Sequence, residues 1–374
     1  MQIAILGAGM VGRAMALDLA AKYNVTSFDL SSDALQLLTQ KNDAIKTIKT
    51  DLRNYSQYES MLKGFDFIIS AVPGFMGYLT LEAIINAKKN VVDISFFPEN
   101  ALDLNALAKE NQVTAIVDCG VAPGMSNLIL GYHNERMTIT NFECLVGGLP
   151  LKRVYPFEYK APFSPIDVLE EYTRPARYVE NSHIITKPAL SDAELIDFEQ
   201  VGTLESFNTD GLRSILFTMG HIPNMKEKTL RYPGHITLMQ GLIKAGFLSP
   251  EPISVKGQSI SPLEFTSALL FDQWKLGENE AEFTLMQIKI TDAEKTICYD
   301  LYDAYDAATQ TSSMSRTTGY TCTAALNLLI EKLFTEKGVF PPELVGKDEN
   351  CFNFILNYLS TRNIIYRKTE SLFN

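Results

Sequence analysis

The sequence predicts a Rossmann-type α/β domain, a doubly wound parallel sheet, followed by a second α+β domain with a mixed sheet. Three observations carry this. The chain opens on an apolar run, Gln2 to Leu6, followed by glycines at the spacing Gly7-x-Gly9-x-x-Gly12. Six strand-like apolar runs then alternate with helix-like stretches as far as Val117. Beyond about residue 125 short strands, prolines and charged stretches replace that alternation. At 374 residues there is room for two domains. The expected division is 1–124, 125–320 and a helical C-terminal segment 321–374.

A dinucleotide site needs this order of strand, tight turn and helix start. Gly7 makes the turn, Gly9 lets a pyrophosphate approach the backbone, and Gly12 lets the helix (read here as Arg13 to Lys22) pack on its strand. The free N–H groups around Met10 and Val11 and the helix dipole favour phosphate. The second strand, Asn24 to Phe28, ends at Asp29, which stands 17 residues after Gly12. An acid there accepts hydrogen bonds from ribose hydroxyls and repels a 2′-phosphate. No Lys or Arg follows in Leu30-Ser31-Ser32, so NAD is expected rather than NADP. A glycine turn in some other α/β fold is the competing reading.

The next elements follow in order. A helix over 33–41 is capped near Ser32, and a strand over 45–49 leads to Asp51, where adenine contacts fall in such folds. After a helix over 57–62, Phe65 to Val72 reads as a buried parallel strand, and its C-terminal loop Val72-Pro73-Gly74-Phe75-Met76-Gly77 is expected against the cofactor and the substrate, an ordinary Pro-Gly turn being the plainer reading. A helix over 79–87, a strand over 90–94 ending in Asp93, a loop with Glu99, a helix over 101–110 and a strand over 113–117 ending in Asp118-Cys119 complete the domain. Beyond it we expect a strand over 141–147, a turn at Gly147 to Pro150, a polar loop over 155–177, and strands near 178–187 and 196–201. Helices are expected over 210–219, 233–246, 318–334 and 349–361, with two strands in 288–304.

Composition narrows the function classes. The net charge of −11 argues against a nucleic-acid partner. No apolar run is long enough to span a membrane, and no basic, apolar leader opens the chain. Five scattered cysteines without C-x-x-C, and four histidines without a ligand pair, argue against a disulfide framework or a metal site and fit a cytoplasmic location.

Oxidising an amine has three needs: a base to deprotonate the nitrogen, an acid to hold the cation, and an arginine to clamp an α-carboxylate. Strand ends supply Asp93, Glu99, Asp118 and Cys119; the second domain supplies Arg174, Arg213, Arg231 and His235. Each has a plainer reading. Glu170 to Arg177 also reads as a solvated charged loop, Asp210 as a helix cap with Arg213 on the surface, His235 as a packed histidine, and Cys119 as a small buried residue.

Several stretches together, Val72 to Gly77, Val92 to Asn100, Asp118 to Asn127, Gly147 to Pro150, Ser164-Pro165, Glu170 to Arg177, Asp210 to Ser214, Thr229 to His235, Ser313 to Gly319 and Val339 to Glu343, resemble the saccharopine dehydrogenase-like family. Within it the likeness is greatest to members that oxidise the 6-amino group of L-lysine. The resemblance implies a second domain that binds the substrate and builds a homodimer or larger assembly, with C-terminal helices returning to the first domain. It implies NAD-dependent deamination to 2-aminoadipate 6-semialdehyde, which cyclises to piperideine-6-carboxylate. It also implies that Gly74, Phe75, Glu99 and Cys119 lie by the substrate. Where saccharopine reductases carry an arginine after the Ser-Pro pair, this chain has Ile166-Asp167, which favours a substrate with fewer carboxylates. Formation of saccharopine or carboxynorspermidine, or cofactor binding without catalysis, are the alternatives.

Overall fold

The computed structural model describes residues 1–373. Its first part runs β1 (Gln2–Leu6), α1 (Met10–Ala20), β2 (Asn24–Asp29), α2 (Ser32–Lys41), β3 (Lys46–Lys49), α3 (Tyr58–Leu62), β4 (Phe67–Ser70), α4 (Gly74–Asn86), β5 (Asn90–Asp93), α5 (Asn105–Glu110) and β6 (Thr114–Ile116). The six strands pair in parallel. Ile3, Ile5, Ile69 and Val92 feed one core, and Ala4, Leu6, Ile68 and Val91 feed another. Burial on both faces is why these strands read as continuous apolar runs.

The rest of the chain runs α6 (Met125–Asn134), β7 (Asn141–Pro150), α7 (Pro165–Thr173), β8 (Ala176–Glu180), β9 (His183–Lys187), β10 (Glu194–Phe198), β11 (Gly202–Asn208), α8 (Ile215–Thr218), β12 (Asn224–Arg231) and α9 (His235–Lys244). It continues with β13 (Ile253–Val255), β14 (Gln258–Ile260), α10 (Pro262–Trp274), β15 (Glu282–Thr291), β16 (Lys295–Ala304), α11 (Ser313–Ile330), β17 (Gly338–Phe340), α12 (Pro342–Gly346), α13 (Glu349–Ser360) and β18 (Tyr366–Leu372). The first sheet has the order β17-β6-β5-β4-β1-β2-β3. The second is mixed, β10-β11-β12-β7-β15-β16-β18, with β8 and β9 attached through β12. Only β12 and β7 pair in parallel within it. This is the fold class the sequence predicts.

The C-terminal segment touches both sheets. β17 adds a seventh strand to the first through β6, and β18 closes an edge of the second. α11 lies along α1, where the bare Cα of Gly319 faces Met15 and Val11. Asp18 on α1 accepts hydrogen bonds from Thr323 (2.6 Å), Tyr358 (2.7 Å) and Arg362 (2.8 Å), which ties the C-terminal helices to the first sheet's layer. No helix of the described residues is long and apolar enough to cross a membrane.

Some elements differ from expectation. α1 begins at Met10, not Arg13, because Gly9 is the N-cap and the glycine motif overlaps the first helical turn. Gly147 to Pro150 is strand, not turn: a side chain on Gly147 would overlap Leu230 of the adjoining β12, so these glycines serve close approach. Within the expected polar loop lies α7, started by Pro165. The expected helix over 210–219 shrinks to Ile215–Thr218. Asp210 does not cap it but accepts from Arg177, and Arg213 adopts a left-handed conformation. α6, β12 and α10 have no counterpart in the expected element order.

Candidate active site

A cavity of about 720 Å³ runs between the two sheets, from the glycine loop to α7 and β12. One end collects Gly7, Gly9, Met10, Val11, Gly12, Asp29, Asp51, Val72 and Pro73. The local reasons are steric. Gly7 has φ +108°, and a Cβ on Gly12 would overlap the Gly7 carbonyl, so both are held to glycine by the fold itself. At Gly9 a Cβ would meet nothing within 4 Å. The missing side chain there leaves open cavity beside the start of α1, as a pyrophosphate requires.

Asp29 closes the end of β2. Its carboxylate accepts from Ala8 N (2.6 Å) and Ser31 N (2.7 Å), leaving further lone pairs toward the cavity. Arg53 also lines this end. It is gripped by Asp51 through two bonds of 2.9 and 2.7 Å, which hold the Asp51 carboxyl down to about 2.

The other end is rich in acids. α7 presents Asp167, Glu170 and Glu171, a spacing of three and four residues that puts them on one helix face, and its C-cap Arg174 lines the cavity beside them. β12 presents Glu227, Thr229 and Arg231, every second residue and so one strand face. Asp118 and Asp210 complete the lining. Four of the six acids have cationic partners: Asp118 with Arg213, Asp210 with Arg177, Glu170 with Arg174 and Glu171 with Arg231. Asp167 and Glu227 have none. Burial pushes Asp167 up to about 6 and Glu227 up to about 8, the latter helped by Glu171 and Asp210. Arg174 carries the complementary vacancy: its Nη1 is buried without an acceptor.

The expected catalytic and substrate residues scatter. Asp93 is fully buried beneath the cavity wall, where its carboxylate accepts from Ser95 Oγ (2.8 Å) and Ser95 N (3.1 Å). Cys119 is sealed at 2% exposure, and burial pushes its thiol far up. Glu99 is exposed at a separate crevice shared with Pro98 and Phe217. Arg213 is no carboxylate clamp: its guanidinium is spent on Asp118 and the Phe97 carbonyl. His235 does not reach the cavity either. Its Nδ1 lies 2.8 Å from the Phe157 carbonyl and its Nε2 accepts from Tyr172 (3.0 Å), while burial lowers it to about 3, so it is a neutral packing residue. Tyr172 in turn accepts from Arg231 Nε (2.8 Å). Arg231 lines the cavity, but Glu171 (2.8 Å), Tyr172 and the Leu230 carbonyl take most of its donors. Asp118, Phe75 and Arg174 line the cavity, and Gly74 lies just behind, with Asp167 Oδ1 against it.

Three cavity residues were missed from sequence. Arg53 follows β3 and so lies outside the residues directly after Asp29, where a cation that selects the cofactor is ordinarily sought. Asp167 was seen only as a missing arginine, although its spacing to Glu170, Glu171 and Arg174 is a helical stripe. Glu227 gave no signal, because Asn224 to Arg231 is a polar stretch with no apolar alternation.

Comparison with known proteins agrees with this architecture. Residues 3–116 match the family model described as the saccharopine dehydrogenase NADP binding domain, and residues 120–365 match the saccharopine dehydrogenase C-terminal domain. Alpha-aminoadipic semialdehyde synthase from Rattus norvegicus is 24% identical over 285 residues, 72% of this chain but only 31% of that protein. The chain thus spans about a third of the length of that relative. Carboxyaminopropylagmatine dehydrogenase from Synechocystis is 21% identical over 383 residues, 93% of each chain. The solved saccharopine dehydrogenase (L-Glu forming) from Saccharomyces cerevisiae shares the fold, with a TM-score of 0.79, 20% identity and 99% of each chain covered.

Proposed function

The chain belongs to the saccharopine dehydrogenase family, and from that premise we propose that it oxidises a carbon–nitrogen bond of an amino-acid substrate, the 6-amino group of L-lysine with NAD. The observation that carries this reading is the single cavity joining the glycine loop to an end where acids outnumber arginines. A site of that charge favours a cationic substrate. Saccharopine brings three carboxylates and L-lysine brings one. Arg174, which lines the cavity with Nη2 held by Glu170, suits one carboxylate; Asp167 and Glu227, the unpaired acids, suit two amino groups.

Gly7, Gly9, Met10, Val11 and Asp29 would hold the dinucleotide, with Val72 and Pro73 against it. When bound, the nicotinamide accepts a hydride from the carbon bearing the amine. The chain's own contribution is to orient the amine, take its proton and exclude bulk water. Asp29 supports NAD, because a 2′-phosphate would meet a carboxylate already fixed by two backbone N–H groups.

The test is reduced-nicotinamide formation by the purified chain with NAD and L-lysine, beside saccharopine, ornithine and a carboxyalkylated polyamine. Turnover on L-lysine alone supports the reading, and turnover on saccharopine alone removes it. A second reading, oxidation of a carboxyalkylated polyamine, is favoured by the end-to-end match to the Synechocystis enzyme. It predicts turnover on the polyamine in preference to L-lysine.

A further inference from the structure

Resting on the amine-dehydrogenase reading, we propose that Glu227 is the catalytic acid–base of this site and that Gly211 is the residue that positions it. The argument begins with partners. Four of the other five carboxylates of the acid-rich end, Asp118, Asp210, Glu170 and Glu171, are committed to arginines, and the fifth, Asp167, is unpaired but has its Oδ1 enclosed beside Gly74. Glu227 is 6% exposed, lines the cavity and has no hydrogen-bond donor to its carboxylate among the described residues. Such a group is expensive to keep buried unless something occupies the space in front of it.

Its backbone is rigid. β12 is an interior strand, in parallel register with β7, which places Glu227 opposite Cys144. The side chain rises toward the loop at Gly211, and a Cβ on that glycine would overlap Glu227 Oε1. The loop therefore leaves room for the carboxylate and fixes where it lies. The charged groups that face it are Glu171 from α7, Asp210 and Arg213 from the loop before α8, and Asp118 from the end of β6. Three acids against one arginine, itself spent on Asp118, favour retention of a proton once one is taken.

The reaction balances with one such group. The Glu227 carboxylate takes a proton from the substrate's ammonium nitrogen, which frees the lone pair. The adjacent carbon is then oxidised by loss of hydride to the nicotinamide, leaving an iminium ion. Water adds its oxygen to that carbon, and Glu227 relays a proton from the oxygen to the nitrogen. The C–N bond breaks with its electron pair on nitrogen, so ammonia leaves, and the hydroxyl proton passes to it, giving ammonium and the aldehyde. Overall, substrate ammonium, NAD and water give aldehyde, ammonium, NADH and one proton.

The test uses the full chain as wild type, Glu227→Gln, Gly211→Ala and Asp167→Asn. Rates with L-lysine are followed across neutral and alkaline pH, and NADH binding reports on folding. In the wild type kcat/KM rises with pH through a limb near 8, because the base must lose its proton first. Glu227→Gln should abolish that limb and lower kcat about 100-fold or more while NADH binding is unchanged. Gly211→Ala should bind NADH normally, keep its KM for L-lysine and lose kcat, because it moves the carboxylate and not the fold. Independently of turnover, the protonated-carboxyl infrared intensity lost near pH 8 should be smaller in Glu227→Gln than in the wild type by the share of one group, the remainder belonging to other buried carboxyls such as Glu282. If Glu227→Gln retains the limb and kcat, or if the limb vanishes in Asp167→Asn instead, the assignment is overturned while the amine-dehydrogenase reading stands. If the wild type oxidises no amine, that reading falls and takes this one with it.

Discussion

Asp118 and Arg213 form a buried ion pair across the seam between the two sheets, and both hold left-handed backbones, with φ of 51° and 53°. Asp118 follows the last strand of the first chain segment, and Arg213 lies between β11 and α8 of the second sheet. Arg213 donates to one Asp118 oxygen through Nε (3.2 Å) and Nη2 (2.8 Å), and also to the Phe97 carbonyl. The pair is 5% and 4% exposed. Left-handed backbone costs about 1 kcal/mol or more at each residue, so the contact must outweigh that strain on both sides.

Arg213→Ala should therefore destabilise the protein strongly. It leaves a buried carboxylate without its partner, a loss of about 3–5 kcal/mol. Adding Asp118→Asn should recover part of this, since asparagine tolerates the left-handed region and carries no charge. Denaturant unfolding of the wild type, both single variants and the double variant gives the coupling. A single-variant loss below about 1 kcal/mol would mean the seam is held by apolar contacts alone.

Asp29→Ala should weaken NAD by about 10- to 100-fold, the loss of charge-assisted bonds to ribose, and leave NADP unchanged or improved. Because Ala8 N and Ser31 N also lose their acceptor, Asp29→Asn separates charge from loop geometry. Arg53→Ala is the counter-test. Arg53 lines the same end and is held by Asp51, so NAD affinity should stay within about twofold, as for an exposed pair. Selective loss of NADP use in Arg53→Ala, with Asp29→Ala neutral toward NAD, would reverse the cofactor preference.

What the sequence made legible follows from where the constraint is local. Gly7 is dictated by its own φ of +108° and Gly12 by the Gly7 carbonyl five residues before it, so the loop and the strand–helix order around it could be read directly. Asp93 and Cys119 were correctly placed at strand ends yet wrongly aimed: which face of a buried parallel strand meets the cavity depends on packing, not on pattern. α7 was obscured because a helix face lined with Asp167, Glu170 and Glu171 looks the same whether it meets solvent or a buried cavity. Glu227 was invisible for a related reason. Asn-Met-Lys-Glu-Lys-Thr-Leu-Arg has no apolar alternation, since the face that would be apolar in an ordinary sheet here lines a polar cavity. Arg213 and Arg231 read as equivalent clamps, and only the fold shows that Asp118 and Glu171 take up their donors.

Asp93 should make stability depend on pH. Burial raises its carboxyl to about 7 in the folded chain, against about 3.9 when unfolded. The folded form thus keeps a proton that the unfolded form has released. The stability this contributes is complete below about pH 4 and is lost as the pH rises through the folded value. Asp93→Asn cannot ionise and should escape that loss. Urea unfolding of wild type and variant at about pH 5 and about pH 8 should show the difference moving in the variant's favour at the higher pH. A difference that is the same at both would mean that Asp93 stays ionised throughout, held by the two bonds from Ser95.

Arg174 should govern affinity for the substrate's carboxylate and not the rate of oxidation. Its Nη2 is paired with Glu170, its guanidinium lies 5.2 Å from the centre of the Phe96 ring, and its Nη1 is buried without an acceptor. That geometry fixes the fork of a side chain that lines the cavity with Nη2 as its paired nitrogen among the described residues. Arg174→Ala should raise KM for L-lysine by about 10- to 100-fold, the worth of a charge-assisted bond, with kcat little changed. The chain should still fold, because the Glu170 side chain released by the change is 33% exposed. The discriminating substrate is 1,5-diaminopentane, which has both amino groups of L-lysine and no carboxylate. On that diamine Arg174→Ala should match the wild type, since no group remains for the arginine to hold. An equal loss on both substrates would show that Arg174 only shapes the cavity through Phe96 and Glu170, and the carboxylate would then have to be sought at the last free donor of Arg231.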